Sequence, residues 1–236
     1  SAMFQVLAAV VAHSYGVGSI HQYENGVLGL AIPQSGNFIP TRHAHPETHR
    51  RMAKLLAAVL GSAFTIANPF LELTKRQVGA RLAAAIGEAR ADALLRRTES
   101  CWYLAQPRVA GLAKGNGQPC GACAPCLVRL TARPGELDDF KWSNDSAARP
   151  GYAFDMRRDE YREKEKLGLT FRAYLELIEI VTSAPDDSSL IDSLAPEARV
   201  VVDNRLGPDE VLVAGVLRRF ASEFCDTFGI RVAGRS

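Results

Sequence analysis

Residues 61–87 read GSAFTIANPFLELTKRQVGARLAAAIG, and three signals in that stretch decide the fold. Ala63–Ala67 is short, apolar and partly β-branched, and Asn68-Pro69 closes it, which predicts a short strand. Thr74-Lys75-Arg76-Gln77 has the spacing of a capping box, in which a Thr hydroxyl and a Gln side chain satisfy each other's backbone N–H groups. Apolar residues then recur at Val78, Leu82, Ala85 and Ile86 with a helical period.

The pattern extends toward the N-terminus. Gly61 ends a predicted helix that Pro46-Glu47 opens, with Pro at its first position and an apolar stripe of Met52, Leu55, Leu56 and Val59. A polar loop, Gln34 to His45, precedes it. Before that, Val27–Ile32 (VLGLAI) is an unbroken apolar run between Asn25-Gly26 and Pro33, and its length suits a buried strand. Residues 4–15 (FQVLAAVVAHSY) read as a mostly buried helix ended by Gly16 and Gly18. The order helix, strand, helix, strand, helix predicts an α/β fold with a parallel sheet.

Beyond residue 97 the character changes. Cys101 to Pro119 is irregular and contains glycine, Cys126–Ala132 reads as a short helix, and 134–155 reads mostly as loop. The charge-rich stretch Asp159–Lys166 suits a solvated helix face. Phe171–Val181 is an amphipathic helix and Pro185–Ser189 a loop. Val211–Phe228 is a final helix, apolar at Val211, Val213, Val216, Leu217, Phe220 and Phe224. The expected division is 3–97 and 98–236.

With 236 residues there is room for one large or two small domains, and 47% hydrophobic against 23% charged residues is the balance of a soluble globular protein. A net charge of +2 argues against a general electrostatic grip on nucleic acid. Ser1-Ala2 before Met3 reads as a tag remnant. The apolar run Val6–Ala12 is too short to span a bilayer and lacks the flanks of a signal peptide, so a cytoplasmic protein is expected, without a membrane partner. In that compartment clustered cysteines favour metal over disulfides.

The cysteines are spaced Cys101-x18-Cys120-x2-Cys123-x2-Cys126. A C-x2-C step brings two sulfurs to one ion around a tight turn, and Gly121 relieves the backbone crowding of that turn. The second step adds a third ligand and Cys101 returns from a distance as the fourth. Four protein ligands fill a tetrahedral zinc shell and leave no position for water, so the site is expected to be structural. An iron–sulfur cluster or unligated cysteines at a turn are the rivals. Cys225, among apolar neighbours on the last helix, reads as a core residue.

The run Cys-Gly-Ala-Cys-Ala-Pro-Cys-Leu-Val-Arg (120–129), with Ser100-Cys101 upstream, resembles the zinc knuckle of the 7-cyano-7-deazaguanine synthase (QueC-like) family. Asn68-Pro69-Phe70 and Leu73-Thr74-Lys75 resemble the segment before the following helix in that family. Glu24-Asn25-Gly26, Ala31-Ile32-Pro33 and Thr41-Arg42-His43-x-His45-Pro46 look closer to a divergent branch that includes QueC-like proteins of bacterial anti-phage systems. The matching order covers about residues 20–132. The resemblance implies a Rossmann-like fold of the PP-loop (HUP) type over 3–97, as the C-terminal part of that domain. A zinc-knuckle, mainly helical region over 98–236 would follow. It implies ATP- and Mg2+-dependent adenylation of a 7-deazaguanine-type carboxylate, then amide or nitrile formation. The family's Ser-Gly-Gly-x-Asp-Ser loop does not occur in this sequence; Ser14-Tyr15-Gly16-Val17-Gly18-Ser19 has glycines but no acidic residue and follows a helix-like segment. The expectation is that ATP and Mg2+ belong only to a form that contains the missing N-terminal half, and that this chain alone does not turn over ATP.

Arg42, His43, His45 and His49 cluster in a loop and helix start. They suit either a polar surface loop with a helix cap, or substrate and phosphate contact at the carboxyl edge of the sheet. Arg42 fits a carboxylate or phosphate because its planar fork bonds two oxygens. Lys75 either neutralises a phosphate or is solvated at its capping turn, and Arg129 reaches substrate, caps carbonyls or pairs with a carboxylate. Trp102, Tyr103 and Trp142 either stack on a purine-like ring or pack. Arg42, His43 and Lys75 are the expected ligand contacts. The expected partners are a deazapurine or nucleotide and the proteins of a defence operon, and a homodimer is left open. The rival readings are a catalytically inactive, zinc-stabilised scaffold module and an RNA-binding module.

Overall fold

The computed structural model describes residues 2–31, 42–98, 101, 119–133, 135, 155–163, 168–194, 199, 202 and 209–231. Statements below concern those residues. Residues 32–41, which include most of the expected loop Gln34 to His45, Trp102, Tyr103, Trp142 and most of 134–155 lie outside them.

The chain is mixed α/β and mostly helical. Its elements in order are α1 (Ala2–Ser14), β1 (Ser19–His21), α2 (Gly26–Gly29), a 3₁₀ turn (Arg42–Ala44), α3 (Pro46–Leu60), β2 (Thr65–Ala67), α4 (Lys75–Ile86), α5 (Glu88–Leu95), α6 (Ala124–Ala132), α7 (Asp159–Arg162), α8 (Leu169–Ser183), α9 (Asp187–Ser193) and α10 (Glu210–Phe228). Two compact units contain them, Ser1–Leu73 with Ala184–Leu217, and Thr74–Ser183 with Arg218–Ser236.

In the first unit, β1 and β2 pair in parallel, with Ser19 opposite Thr65, Ile20 opposite Ile66 and His21 opposite Ala67. Parallel strands need a crossover connection, and α3 lies within it. Ala9, Leu56 and Phe64 form the core here, joined by Ala12, Ile20, Met52, Leu60 and Ile66. Local rules set the limits of α3. Pro46 sits at its first turn, the His45 side chain caps it by accepting from Glu47 N, and Gly61 ends it in the left-handed conformation at φ 69°.

Three expectations for residues 4–61 are corrected. The described residues of the expected strand Val27–Ile32, 27–31, are not a strand. Asn25 caps a single helical turn there, its Oδ1 accepting from Leu28 N at 3.3 Å. Val27, Leu30 and Ala31 are buried, as an apolar run demands, but a run this short fits a helical turn equally well. The strand that pairs with β2 is instead β1, only three residues long. Helix α1 is present but is not mostly buried: only Gln5 and Ala9 are, and Phe4 and Leu7 are 69% and 54% exposed. On α3 the inward face is His49, Met52, Leu56 and Leu60, one step around from the expected stripe, which leaves Val59 73% exposed.

In the second unit, the capping box of α4 is complete. Thr74 Oγ1 accepts from Gln77 N at 3.3 Å and Gln77 Oε1 accepts from Thr74 N at 3.0 Å. The core is aromatic: Phe171 and Tyr174 of α8 meet Phe220, Phe224 and Phe228 of α10, with ring centroids 4.5–5.7 Å apart. These residues recur at i, i+3 and i+4, which puts them on one face of each helix. In the first unit, the expected loop at Pro185–Ser189 gives way to α9, because Asp186 Oδ1 accepts from Ser189 N at 2.7 Å and starts a helix.

Thr74 also donates through its hydroxyl to the buried Glu223 Oε1 at 2.8 Å. Glu223 thereby sets its carboxylate at the positive end of α4. Burial pushes its carboxyl up in pKa, and the bond from Thr74 pulls against that. Thr74→Ala removes the cap, worth about 1 kcal/mol, and strands a buried carboxyl oxygen, worth about 1–3 kcal/mol. Urea denaturation is expected to show a loss of about 2–4 kcal/mol, with Thr74→Ser recovering most of it. A loss within experimental error would contradict the pairing.

Candidate metal centre

The second unit gathers four sulfurs. The ligating atoms of Cys101, Cys120, Cys123 and Cys126 all lie within 4.8 Å of one another, and Cys120, Cys123 and Cys126 are buried. The local chain explains the convergence. Gly121 takes a left-handed φ of 78°, which folds the backbone back over Cys120. Cys120 Sγ then accepts from Ala122 N at 3.4 Å and from Cys123 N at 3.2 Å. Cys101 Sγ accepts from Cys120 N at 3.2 Å. Cys123 is the N-cap of α6 and Cys126 lies in its first turn, so the positive end of the helix faces the sulfurs.

The fourth ligand comes from a distance, and arginines of α6 hold its approach. Arg129 donates to the Thr98 carbonyl at 2.6 Å, to Thr98 Oγ1 at 2.9 Å and to the Leu95 carbonyl at 2.7 Å. Carbonyl capping, one of the expected roles of Arg129, is thus observed at the end of α5, three residues before Cys101. Arg133 pairs with Asp92 and ties α6 to α5 a second time. Leu127, Val128, Leu130 and Thr131 bury the rest of α6.

The sulfurs perturb one another's acidity. The thiols of Cys123 and Cys126 are pushed well up, first by hydrogen bonding to Cys101, then to Cys120, while Cys101 is pulled well down by hydrogen bonds from the other three. Four thiolates this close need a cation among them. With Zn–S bonds of about 2.3 Å, sulfurs on a tetrahedron stand about 3.8 Å apart; Cys120 Sγ and Cys126 Sγ are 3.9 Å apart. The cluster could therefore hold one metal ion such as zinc. No other group of three or more potential ligands was found among the described residues.

The remaining expected site residues lie elsewhere. Arg42 opens the 3₁₀ turn, and its side chain is outside the described part. His43 is half-buried in the same turn, and His45 is the buried cap of α3. Lys75 is the first residue of α4, half-buried, and belongs to the second unit. The histidines do not converge on a metal. Cys225 is half-buried on α10.

His49 has a structural part that its sequence position does not reveal. It is buried, and its Nε2 shares a 3.2 Å hydrogen bond with Gln22 Oε1; Gln5 Nε2 donates to that oxygen at 2.6 Å and to the His43 carbonyl at 3.0 Å. This network joins α1, the segment after β1, and the turn before α3. Burial, then the charges of His43 and His45, push the His49 imidazole down to about 4. A depressed imidazole stabilises the fold above its unfolded pKa of roughly 6.5, and this contribution fades as pH falls toward the folded value. Between about pH 6.5 and 4 the loss is expected to be on the order of 2–3 kcal/mol. Denaturation curves of wild type and His49→Gln should diverge over that window, the variant having the flatter acid limb; parallel limbs would contradict it.

No helix among the described residues is long and apolar enough to cross a membrane. No family model, no curated protein and no solved structure matches the chain.

Proposed function

We propose that this chain is the zinc-bearing C-terminal portion of a QueC-like, ATP-dependent ligase. In that chemistry a 7-deazaguanine-type carboxylate is adenylated, releasing pyrophosphate. An amine donor then displaces AMP to give the amide, and a second ATP-dependent step gives the nitrile. The reading places the chain's first part in a Rossmann-like PP-loop sheet and its cysteines around one structural zinc.

One observation carries the proposal: short motifs that resemble the family, far apart in sequence, are hydrogen-bonded to each other in the first unit. Asn68 Nδ2 donates to the Glu24 carbonyl at 2.8 Å, and Asn68 Oδ1 accepts from Glu24 N at 3.2 Å and from Phe70 N at 3.1 Å. Gly26 N donates to the Leu73 carbonyl at 2.7 Å. Glu24-Asn25-Gly26 and Asn68-Pro69-Phe70 thus form one assembly. The parallel pairing of β1 and β2 is also the kind a Rossmann-like sheet uses. Zinc is supported by the all-thiolate donor set and by the single-ion spacing of the sulfurs. In the first unit, Arg42 and His43 are assigned to the oxygens of a carboxylate or phosphate; Lys75, in the second unit, is assigned separately to a phosphate. The resemblance of 41–46 to the defence branch extends the proposal to partner proteins of a defence operon.

Isothermal titration of the chain with 7-carboxy-7-deazaguanine tests the reading. Binding is expected, with Arg42→Ala weakening it at least tenfold, and ATP–Mg2+ is expected not to bind tightly. No binding of the deazapurine would overturn the ligase reading. It would favour a zinc-stabilised scaffold, the reading suited to a sequence that contains no Ser-Gly-Gly-x-Asp-Ser loop.

A further inference from the structure

The four sulfurs are not held alike. Cys120, Cys123 and Cys126 are buried and come from one short stretch whose shape is set locally, by the positive φ of Gly121, two backbone N–H groups on Cys120 Sγ and the first turn of α6. Cys101 is half-buried and lies 19 positions from Cys120. A tether of that length confines a ligand only to roughly 25 Å. The nearest described residue before Cys101 is Thr98, and α6 grips it. One guanidinium, that of Arg129, sets Nη1 on the Thr98 carbonyl at 2.6 Å and on Thr98 Oγ1 at 2.9 Å, and Nη2 on the Leu95 carbonyl at 2.7 Å. Thr98 Oγ1 donates to the same Leu95 carbonyl at 2.8 Å. Leu95 ends α5, where a helix leaves its last carbonyls without partners. The arginine therefore closes that helix and pins the chain that leaves it. Three residues of chain reach at most about 10 Å, so a pinned Thr98 keeps Cys101 beside α6. The two reaches differ about fifteenfold in volume. Cys126 and Arg129 stand three apart on α6, so a ligand and the clamp share one helix face.

We propose that Arg129 is the positioning residue for the fourth metal ligand. Its clamp on Leu95 and Thr98 delivers Cys101 to the three sulfurs of the turn, and so decides between a closed four-thiolate shell and a three-thiolate shell open to water. An open position is what separates catalytic from structural zinc sites, so Arg129 is what keeps this one structural. The inference rests on the reading of the cluster as a metal site and is independent of the ligase reading. The geometry calls for arginine. Its planar fork sets two nitrogens on two carbonyls at once, whereas a lysine offers one point charge. Arg133 is the poorer candidate. It pairs with Asp92 and donates to the Asp92 carbonyl at 3.4 Å, and those bonds lie within α5, about one turn further from Cys101.

The whole chain produced in cobalt(II) medium tests it, because the near-ultraviolet sulfur-to-cobalt absorption grows with each thiolate bound. Wild type is expected to show four thiolates. In Arg129→Gln the band is expected to fall by about one quarter, to the level of Cys101→Ser, as three thiolates replace four. Zinc release from the same variant to a chromogenic chelator is expected to be about tenfold faster or more, following the ratio of volumes. Arg133→Gln is expected to keep the four-thiolate band, although it too loosens α6 from α5. Should Arg129→Gln fail to fold, Arg129→Lys carries the test, with the charge kept and the fork lost, and the same fall is expected. A four-thiolate band in the Arg129 variant would overturn the proposal. A loss in Arg133→Gln equal to that in the Arg129 variant, or collapse of the fold in both Arg129 variants, would overturn it in favour of packing alone. A wild-type chain that binds cobalt through fewer than four thiolates would overturn the metal reading together with it.

Discussion

Replacing Cys126 by Ser is expected to cost the protein its metal and to unfold the start of α6. Cys126 lies in the first turn of that helix, one turn after its N-cap Cys123, so two of the four sulfurs belong to a single turn of backbone. With the metal gone, the turn retains hydrogen bonds from backbone N–H groups to Cys120 Sγ, but the crowded thiolates lose the cation that holds them together. Metal binding in small structural sites is largely folding free energy, about 10–16 kcal/mol in isolated zinc modules. A host with its own core hides part of that, so a loss of about 4 kcal/mol or more is expected here. Treatment of wild type with a strong chelator should reproduce the melting behaviour of the variant. Cys225→Ser is the control: Cys225 stands outside the cluster, and its replacement should cost about 1 kcal/mol or less. Equal effects of the two substitutions in denaturant titrations would remove the case for a metal.

The second large effect is expected from one methyl group. A Cβ at Gly26 would stand 2.1 Å from the Leu71 carbonyl oxygen, 3.1 Å from the Leu71 carbonyl carbon and 3.0 Å from Val216 Cγ1. Two of those atoms are backbone, which cannot rotate away. The same residue donates its N–H to the Leu73 carbonyl, so the two segments would have to separate and lose that bond. Gly26→Ala is expected to destabilise the chain by about 3 kcal/mol or more. Gly29→Ala is a matched contrast. Its nearest contacts are side-chain atoms, Leu71 Cδ1 at 2.9 Å and Asn68 Nδ2 at 3.2 Å, which can shift, so about 1 kcal/mol is expected. Urea midpoints for the two variants settle the order. If Gly26→Ala is no worse than Gly29→Ala, the close approach of 24–29 to 68–73 is wrong.

What the sequence made legible is what local rules encode. Pro46 and Gly61 bound α3, and the Thr74–Gln77 box starts α4, because a cap needs only its own neighbours. The cysteine turn was readable for the same reason: Gly121 supplies the positive φ that the C-x2-C step needs. What was not legible depends on distant partners. Val27, Leu30 and Ala31 are buried, as their composition demands, yet Gly26–Gly29 is helical, because Asn25 caps it and Leu73 accepts from Gly26. β1 has three residues, too few for alternation to register. Glu223 looks like any carboxylate on a helix, and only the fold sets it on the Thr74 hydroxyl, 149 positions away. The open face of α1 was concealed by its composition, since an apolar helix reads as a buried one.

Cys101, Cys120, Cys123 and Cys126 are placed to hold one metal ion, and the proposed ion is zinc. Elemental analysis of the protein purified without added metal tests it most directly. About one zinc per chain is predicted, falling to none in Cys126→Ser. Iron in place of zinc, or no metal in the folded wild-type chain, would contradict it.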